Sequence, residues 1–139
     1  MDKEASITAN AYDKLILLCE AALPLEACGL LVCADNTGIA DTIIPIHNVH
    51  EQPRQTFTFD PQQWIEAYFY IRKNRQKLVG IYHSHPAEPA EPSSSDYEGY
   101  LPAEDVAYWI VAFPRQAKPV VKRYRSDGGM FIPIPLVLA

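Results

Sequence analysis

From Ala11 to Leu23 the apolar residues Tyr12, Leu15, Ile16, Cys19 and Leu23 recur at helical spacing. Thr8 or Asn10 can cap this helix, and Pro24 stops it. The apolar run Ala27 to Val32 is long enough for one buried strand. Asp35 to Gly38 reads as a turn, Ile39 to Ile46 as a second strand and Thr56 to Phe59 as a short third. Asp60-Pro61-Gln62-Gln63 starts a second helix: Asp60 caps, Pro61 occupies the first helical position, and Gln63 can reach back to complete a capping box. Phe59 and Trp64 fall where a hydrophobic staple packs. This helix runs to about Arg75, with Trp64, Ile65, Tyr68 and Ile71 as its expected buried stripe.

Leu78 to His83 carries no charge and is expected at the centre of a sheet. Pro86 to Ser95, rich in Pro and Ser, is expected as a loop, followed by a short helix from Ser94 to Tyr100. Ala107 to Phe113 reads as another buried strand. Val120 to Tyr124, a turn at Asp127-Gly128-Gly129, and Met130 to Val137 read as a closing hairpin. Helices and strands interleave, which predicts a layered α/β domain with a mixed sheet.

The chain has 139 residues, enough for one domain over 1–139 that hides roughly two-thirds of its unfolded surface without a disulfide or metal staple. A hydrophobic share of 48% and a charged share of 21% argue against overall disorder. The net charge of -5 argues against a nucleic-acid partner, which needs concentrated positive charge. Two basic stretches exist, Arg72, Lys73, Arg75 and Lys77, and Lys118, Lys122, Arg123 and Arg125. They read as a solvated helix end and a solvated strand face, or as a contact for an acidic patch on a protein partner. Cys19, Cys28 and Cys33 form no C-x-x-C pair and fit neither a disulfide framework nor a Cys-rich zinc site; Cys19 and Cys33 read as core thiols. The N-terminus shows no signal-peptide pattern and no apolar run reaches ~18 residues, so no membrane span and a cytoplasmic setting are expected.

The chemistry concentrates at His83-Ser84-His85. Positions i and i+2 of a strand face the same side, so two imidazoles emerge together, as two ligands of a tetrahedral zinc require. Asp96 is a candidate third ligand, brought back by the Pro-rich loop. Glu26, at the start of the apolar run, can act as a proton shuttle, and Ser93 as a donor to an oxyanion. Each has a plainer reading alone. H-x-H at a strand end can be adventitious, Ser93-x-x-Asp96 is also a helix capping box, and Glu26 after Pro24 suits an exposed turn. A serine hydrolase built on Ser84 or Ser93 is the other catalytic reading, although no G-x-S-x-G elbow is present. His47 and His50 lack ligand spacing to this cluster and read as structural or surface residues. Asn48, in the same loop, is a candidate to face substrate.

Taken together, Glu26-Ala27-Cys28-Gly29-Leu30, then His83-Ser84-His85-Pro86, six residues, and Ser93-x-x-Asp96 resemble the JAMM (MPN+) metalloprotease motif. The resemblance extends from the first helix to about Arg125. It implies a three-layer α/β/α, cytidine-deaminase-like fold with a mixed central sheet. It also implies Zn2+ on His83, His85 and Asp96, Glu26 as general acid/base and Ser93 as oxyanion helper. Family members cleave peptide or isopeptide bonds after the C-terminal tails of ubiquitin-like proteins. The Glu-Ala-Cys-Gly segment, Tyr82-His83-Ser84-His85 and Pro92-Ser93 are more similar to the bacterial Mec-like branch, which acts on sulfur-carrier proteins. Related domains lacking zinc ligands act as non-catalytic interaction scaffolds, an alternative that the full ligand set here argues against. The oligomeric state is open, a homodimer included.

Overall fold

A computed structural model describes residues 5–34, 37–94, 96 and 106–139. The first helix, α1 (Ala9–Ala22), is capped by the Thr8 side chain, which accepts from the Ala11 N–H at 3.1 Å. It buries Ala11, Leu15 and Cys19, spaced four apart along one stripe. Strands β1 (Cys28–Cys33) and β2 (Thr42–Ile46) follow, then α2 (Pro61–Lys73), β3 (Lys77–His85), β4 (Ala107–Ala112), β5 (Val120–Asp127) and β6 (Met130–Ile134). They form one six-stranded sheet in the order β2-β1-β3-β4-β5-β6. The β3–β4 pair is parallel and the other pairs are antiparallel, so the sheet is mixed, as expected. Gly128 and Gly129 both take positive φ (57° and 83°), the conformation that a two-residue hairpin turn between β5 and β6 demands.

Alternation along the strands sorts the core onto two faces. Leu31, Ile43, Tyr82, Trp109 and Val111 pack with Ile7 and α1 on one side. Leu30, Val32 and Ile46 pack with Ala67 and Ile71 of α2 on the other. The result is the three-layer α/β/α arrangement. Gly80 gives Trp109 its seat: a Cβ there would lie 2.6 Å from the indole Nε1. No helix among the described residues is long and apolar enough to cross a membrane. All three cysteines are buried and free.

Several local expectations are corrected. The second strand is shorter, Thr42–Ile46, because Ala40 makes only an isolated bridge to Ile7. Thr56 to Phe59 is not a strand: only Phe59 bridges, to Asn48, and isolated backbone bonds together with those of the Asn48 side chain hold the segment without a ladder. Gln63 does not complete a capping box, since its Oε1 accepts from the His47 N–H at 2.7 Å. Asp60 does cap, accepting from the Gln62 and Gln63 N–H groups, and the Phe59 and Trp64 rings do staple, with centroids 5.8 Å apart. The buried stripe of α2 is Ala67 and Ile71, whereas Ile65 and Tyr68 are 48% and 41% exposed, because this helix meets the sheet along a narrower line than its apolar residues cover. The central strand continues two residues past His83, since Ser84 and His85 still pair with Val111 and Ala112. Of the helix expected from Ser94 to Tyr100, Ser94 and Asp96 are helical, and Ser95 and 97–100 lie outside the described residues, as do Asp35 and Asn36 of the expected turn.

Candidate metal centre

β3 has neighbours on both sides, and its C-terminal end delivers the site. His83 pairs with Cys28 on β1 and Ile110 on β4, and His85 pairs with Ala112. The two imidazoles, two residues apart, project to the α2 side, and Ser84 between them projects to the α1 side. Continuing the antiparallel register below Cys28 sets Glu26 across from His85. The Ser84 N–H donates to the Ala27 carbonyl at 3.0 Å, and the Ala27 N–H donates to Ser84 Oγ at 2.8 Å. Ser84 is therefore a fully buried strut that points away from the histidines, which removes it as a nucleophile.

Three donor atoms converge. His83 Nε2 lies 3.1 Å from His85 Nε2 and 3.0 Å from Asp96 Oδ1, and His85 Nε2 lies 3.1 Å from Asp96 Oδ2. These groups are 4%, 1% and 9% exposed, and Glu26 is 5% exposed. His85 Nδ1 lies 2.7 Å from the Pro89 carbonyl, which can only accept, so Nδ1 carries a proton and donates it. The loop that supplies this carbonyl is tied again where the Tyr124 hydroxyl donates to the Ala90 carbonyl. Asp96 is held from below: its Oδ2 accepts from the Ser93 N–H at 2.8 Å, and its own N–H donates to Ser93 Oγ at 3.3 Å. The capping box and the carboxylate that faces the histidines are thus one unit.

Burial pushes the His83 imidazole below its usual pKa. Burial would do the same to His85, but its bonds to Asp96 and Pro89 and the Asp96 and Glu26 charges raise it instead. Burial would raise Asp96, yet the bonds from both rings hold its carboxyl well below the usual carboxylate range. Glu26 is pushed up from 4.5 to about 8, first by burial and further by Asp96 and Glu88, with His85 opposing.

The donor set fits a zinc ion. Tetrahedral ligands about 2.0–2.1 Å from zinc stand roughly 3.3–3.4 Å from one another, a few tenths of an ångström wider than the hydrogen-bonded separations here. Two imidazoles and a carboxylate leave a fourth position open, as a catalytic zinc requires. Glu26 Oε1 supplies an independent sign: it is buried and has no hydrogen-bond partner among the described residues. A buried carboxylate oxygen without a partner is costly unless a bound water or ligand meets it.

The structure places other residues differently from expectation, or finds ones that were missed. Asn48 does not face a substrate cleft; its amide is consumed by backbone bonds to Glu26, Thr56, Thr58 and His50. His47 is exposed at the α2 cap, and His50 Nδ1 accepts from the Gln52 N–H, so both are structural or surface groups. Phe57, which carried no signal of its own, stacks on His83 with centroids 4.7 Å apart and planes at 22°. From it a run of rings leads outward: Phe59 at 5.7 Å from Phe57, Trp64 at 5.8 Å from Phe59, then Tyr68 and Phe69 on the exposed side of α2.

Comparison with known proteins places this geometry in context. Residues 8–127 match the family described as prokaryotic homologs of the JAB domain. A desampylase of Haloferax volcanii is 29% identical over 97 residues, covering 67% of this chain and 70% of that one. A CysO-cysteine peptidase of Mycobacterium tuberculosis is 25% identical over 124 residues, covering 88% and 83%. The solution structure of a Desulfitobacterium hafniense protein superposes with a TM-score of 0.82 at 29% identity, covering 96% and 91%.

Proposed function

The chain belongs to the prokaryotic homologs of the JAB domain, and from that premise we propose that it is a zinc metallopeptidase. Its substrate is the amide bond that follows the C-terminal tail of a ubiquitin-like or sulfur-carrier protein. The observation that carries this reading is the convergence of His83, His85 and Asp96 within 3.1 Å, with buried Glu26 Oε1 lacking a hydrogen-bond partner among the described residues. Residues 1–139 are read as one domain that holds the whole site.

His83, His85 and Asp96 would hold the zinc, with Pro89 fixing the His85 tautomer so that Nε2 presents its lone pair. Bound there, zinc lowers the pKa of water toward neutrality and polarises the scissile carbonyl. Glu26 takes a proton from the attacking water and returns it to the leaving amine. Beside a bound zinc ion, Glu26 would favour its ionised form, the form that can accept a proton from water. Ser93, bonded to Asp96 through both backbone and side chain, is proposed to donate to the carbonyl oxygen as it gains charge.

Relatives named desampylase and CysO-cysteine peptidase support a protein-tail substrate over a small free amide. An extended tail adds readily to a sheet edge as a strand. The aromatic run from His83 to Phe69 supports a surface on which the folded body of that substrate rests while its tail enters. The test is cleavage of a ubiquitin-like protein fused through its tail to a reporter. Full loss of cleavage on chelation and recovery on adding zinc is the expected result. Cleavage that persists in fully chelated protein contradicts the proposal.

A further inference from the structure

Glu26 lies outside β1, which begins at Cys28, so the sheet does not hold it directly. On one side its position comes from Ala27, bonded to Ser84 of β3 through both N–H and carbonyl. On the other side its own backbone is bonded twice to the 48–58 loop. Its N–H donates to the Pro53 carbonyl at 2.7 Å, and its carbonyl accepts from Asn48 Nδ2 at 3.0 Å. Asn48 Nδ2 also donates to the Thr56 carbonyl at 3.0 Å, and Asn48 Oδ1 accepts from the N–H groups of His50 and Thr58 at 3.1 and 3.0 Å.

One side chain therefore closes the loop onto itself and fastens it to the backbone of Glu26. A primary amide has two N–H donors and a carbonyl with two lone pairs, and all four capacities are used here. No other side chain of that length offers both halves. The same loop carries Phe57 against His83, so the clamp ties the proton-shuttle candidate and the first ligand candidate to a single rigid piece.

We infer that Asn48 is a positioning residue: it fixes the backbone of Glu26 so that the carboxylate faces the histidines, while taking no part in holding the metal. The inference rests on the zinc-peptidase reading for its kinetic consequence, but not for its structural one. Asn48→Asp is the informative change. It is isosteric and keeps the acceptor for the His50 and Thr58 N–H groups, but loses the donor to Glu26 and to Thr56. Asn48→Ala loses both halves.

Three readouts separate the outcomes. The first is amide hydrogen exchange at Glu26, compared with Ser84 on β3. The second is zinc affinity by competition with a chromophoric chelator. The third is kcat and KM on a tail-fusion substrate. In Asn48→Asp the Glu26 amide exchanges faster while the Ser84 amide keeps its protection, and zinc affinity stays within about twofold. The kcat falls about 10–100-fold with KM little changed, the range seen when a supporting residue behind a reacting group is lost. Asn48→Ala shows the same pattern, larger.

Wild-type exchange at Glu26 together with wild-type kcat in Asn48→Asp would show that the clamp does nothing. Parallel loss of zinc affinity, Ser84 protection and kcat would show that Asn48 holds the fold in general, and would equally overturn the inference. If the wild-type protein cleaves no tail at all, the function reading fails by itself. The exchange and zinc readouts then still decide whether Asn48 fixes Glu26 independently of the metal ligands.

Discussion

Glu26→Gln should make the metal-free protein more stable at alkaline pH while removing its activity. An ordinary glutamate ionises near 4.5, whereas burial moves Glu26 to about 8. Between those values the folded protein keeps a proton that the unfolded chain has lost, so stability falls as pH rises through that window. From pH 5.5 to 8.5 the linkage amounts to at most about 3.4 kcal/mol, at ~1.36 kcal/mol per pKa unit. Local relaxation and water penetration on ionisation offset part of this, leaving roughly 2 kcal/mol. Glutamine has the shape of the protonated acid and no charge to bury, so it avoids the penalty. The Glu26 charge also contributes to the raised pKa of His85, so the comparison reads the coupled Glu26–His85 pair. The assay is urea denaturation of chelated wild type and Glu26→Gln at both pH values. Wild type should lose about 2 kcal/mol more than the variant, a midpoint difference of about 1.3 M urea for a slope of ~1.5 kcal/mol/M. Identical pH dependence in the two proteins would refute the claim that Glu26 is buried uncharged.

Other expectations follow from the same geometry. Asp96→Ala should weaken zinc binding at least 100-fold, measured by competition with a chromophoric chelator, because it removes one ligand and the acceptor facing both rings; unchanged affinity would remove Asp96 from the site. Zinc affinity should climb as pH rises from 6 to about 8 and then level, since zinc competes with protons for the raised His85 and gains the Glu26 charge beside it once that carboxyl ionises near 8. A flat titration over pH 6–8 would contradict the protonation assignment. Gly80→Ala should destabilise the protein by about 1–3 kcal/mol in chemical denaturation, since its Cβ would lie 2.6 Å from Trp109 Nε1 and the ring has packed neighbours. A stability within error of wild type would mean that the ring moves freely.

Much of this architecture is readable in the chain because burial leaves a local trace. Cys28–Cys33 and Ala107–Ala112 are apolar throughout and form fully buried strands. His83 and His85 share a face because strand periodicity is two, and Asp60-Pro61 starts α2 because capping chemistry is local. What stayed hidden depends on distant partners. The exposed side of α2 looks like a buried stripe because Ile65 and Tyr68 are apolar at helical spacing, and only the width of the sheet beneath decides otherwise. Gln63 reaches His47 sixteen residues away instead of its own cap. Asn48 gives no signal as a polar loop residue, and the Pro89 carbonyl gives none either, because a backbone acceptor has no sequence signature.

The most direct test is hydrolysis in H2 18O of a ubiquitin-like sulfur carrier that bears a C-terminal extension after Gly-Gly, followed by intact-mass spectrometry. Zinc-loaded wild type should release the extension and leave one 18O in the new tail carboxylate. Glu26→Gln that still binds zinc, and chelated wild type, should leave the substrate intact. Release by Glu26→Gln at the wild-type rate would contradict the assignment of Glu26, and release by the chelated protein would contradict the metal centre itself.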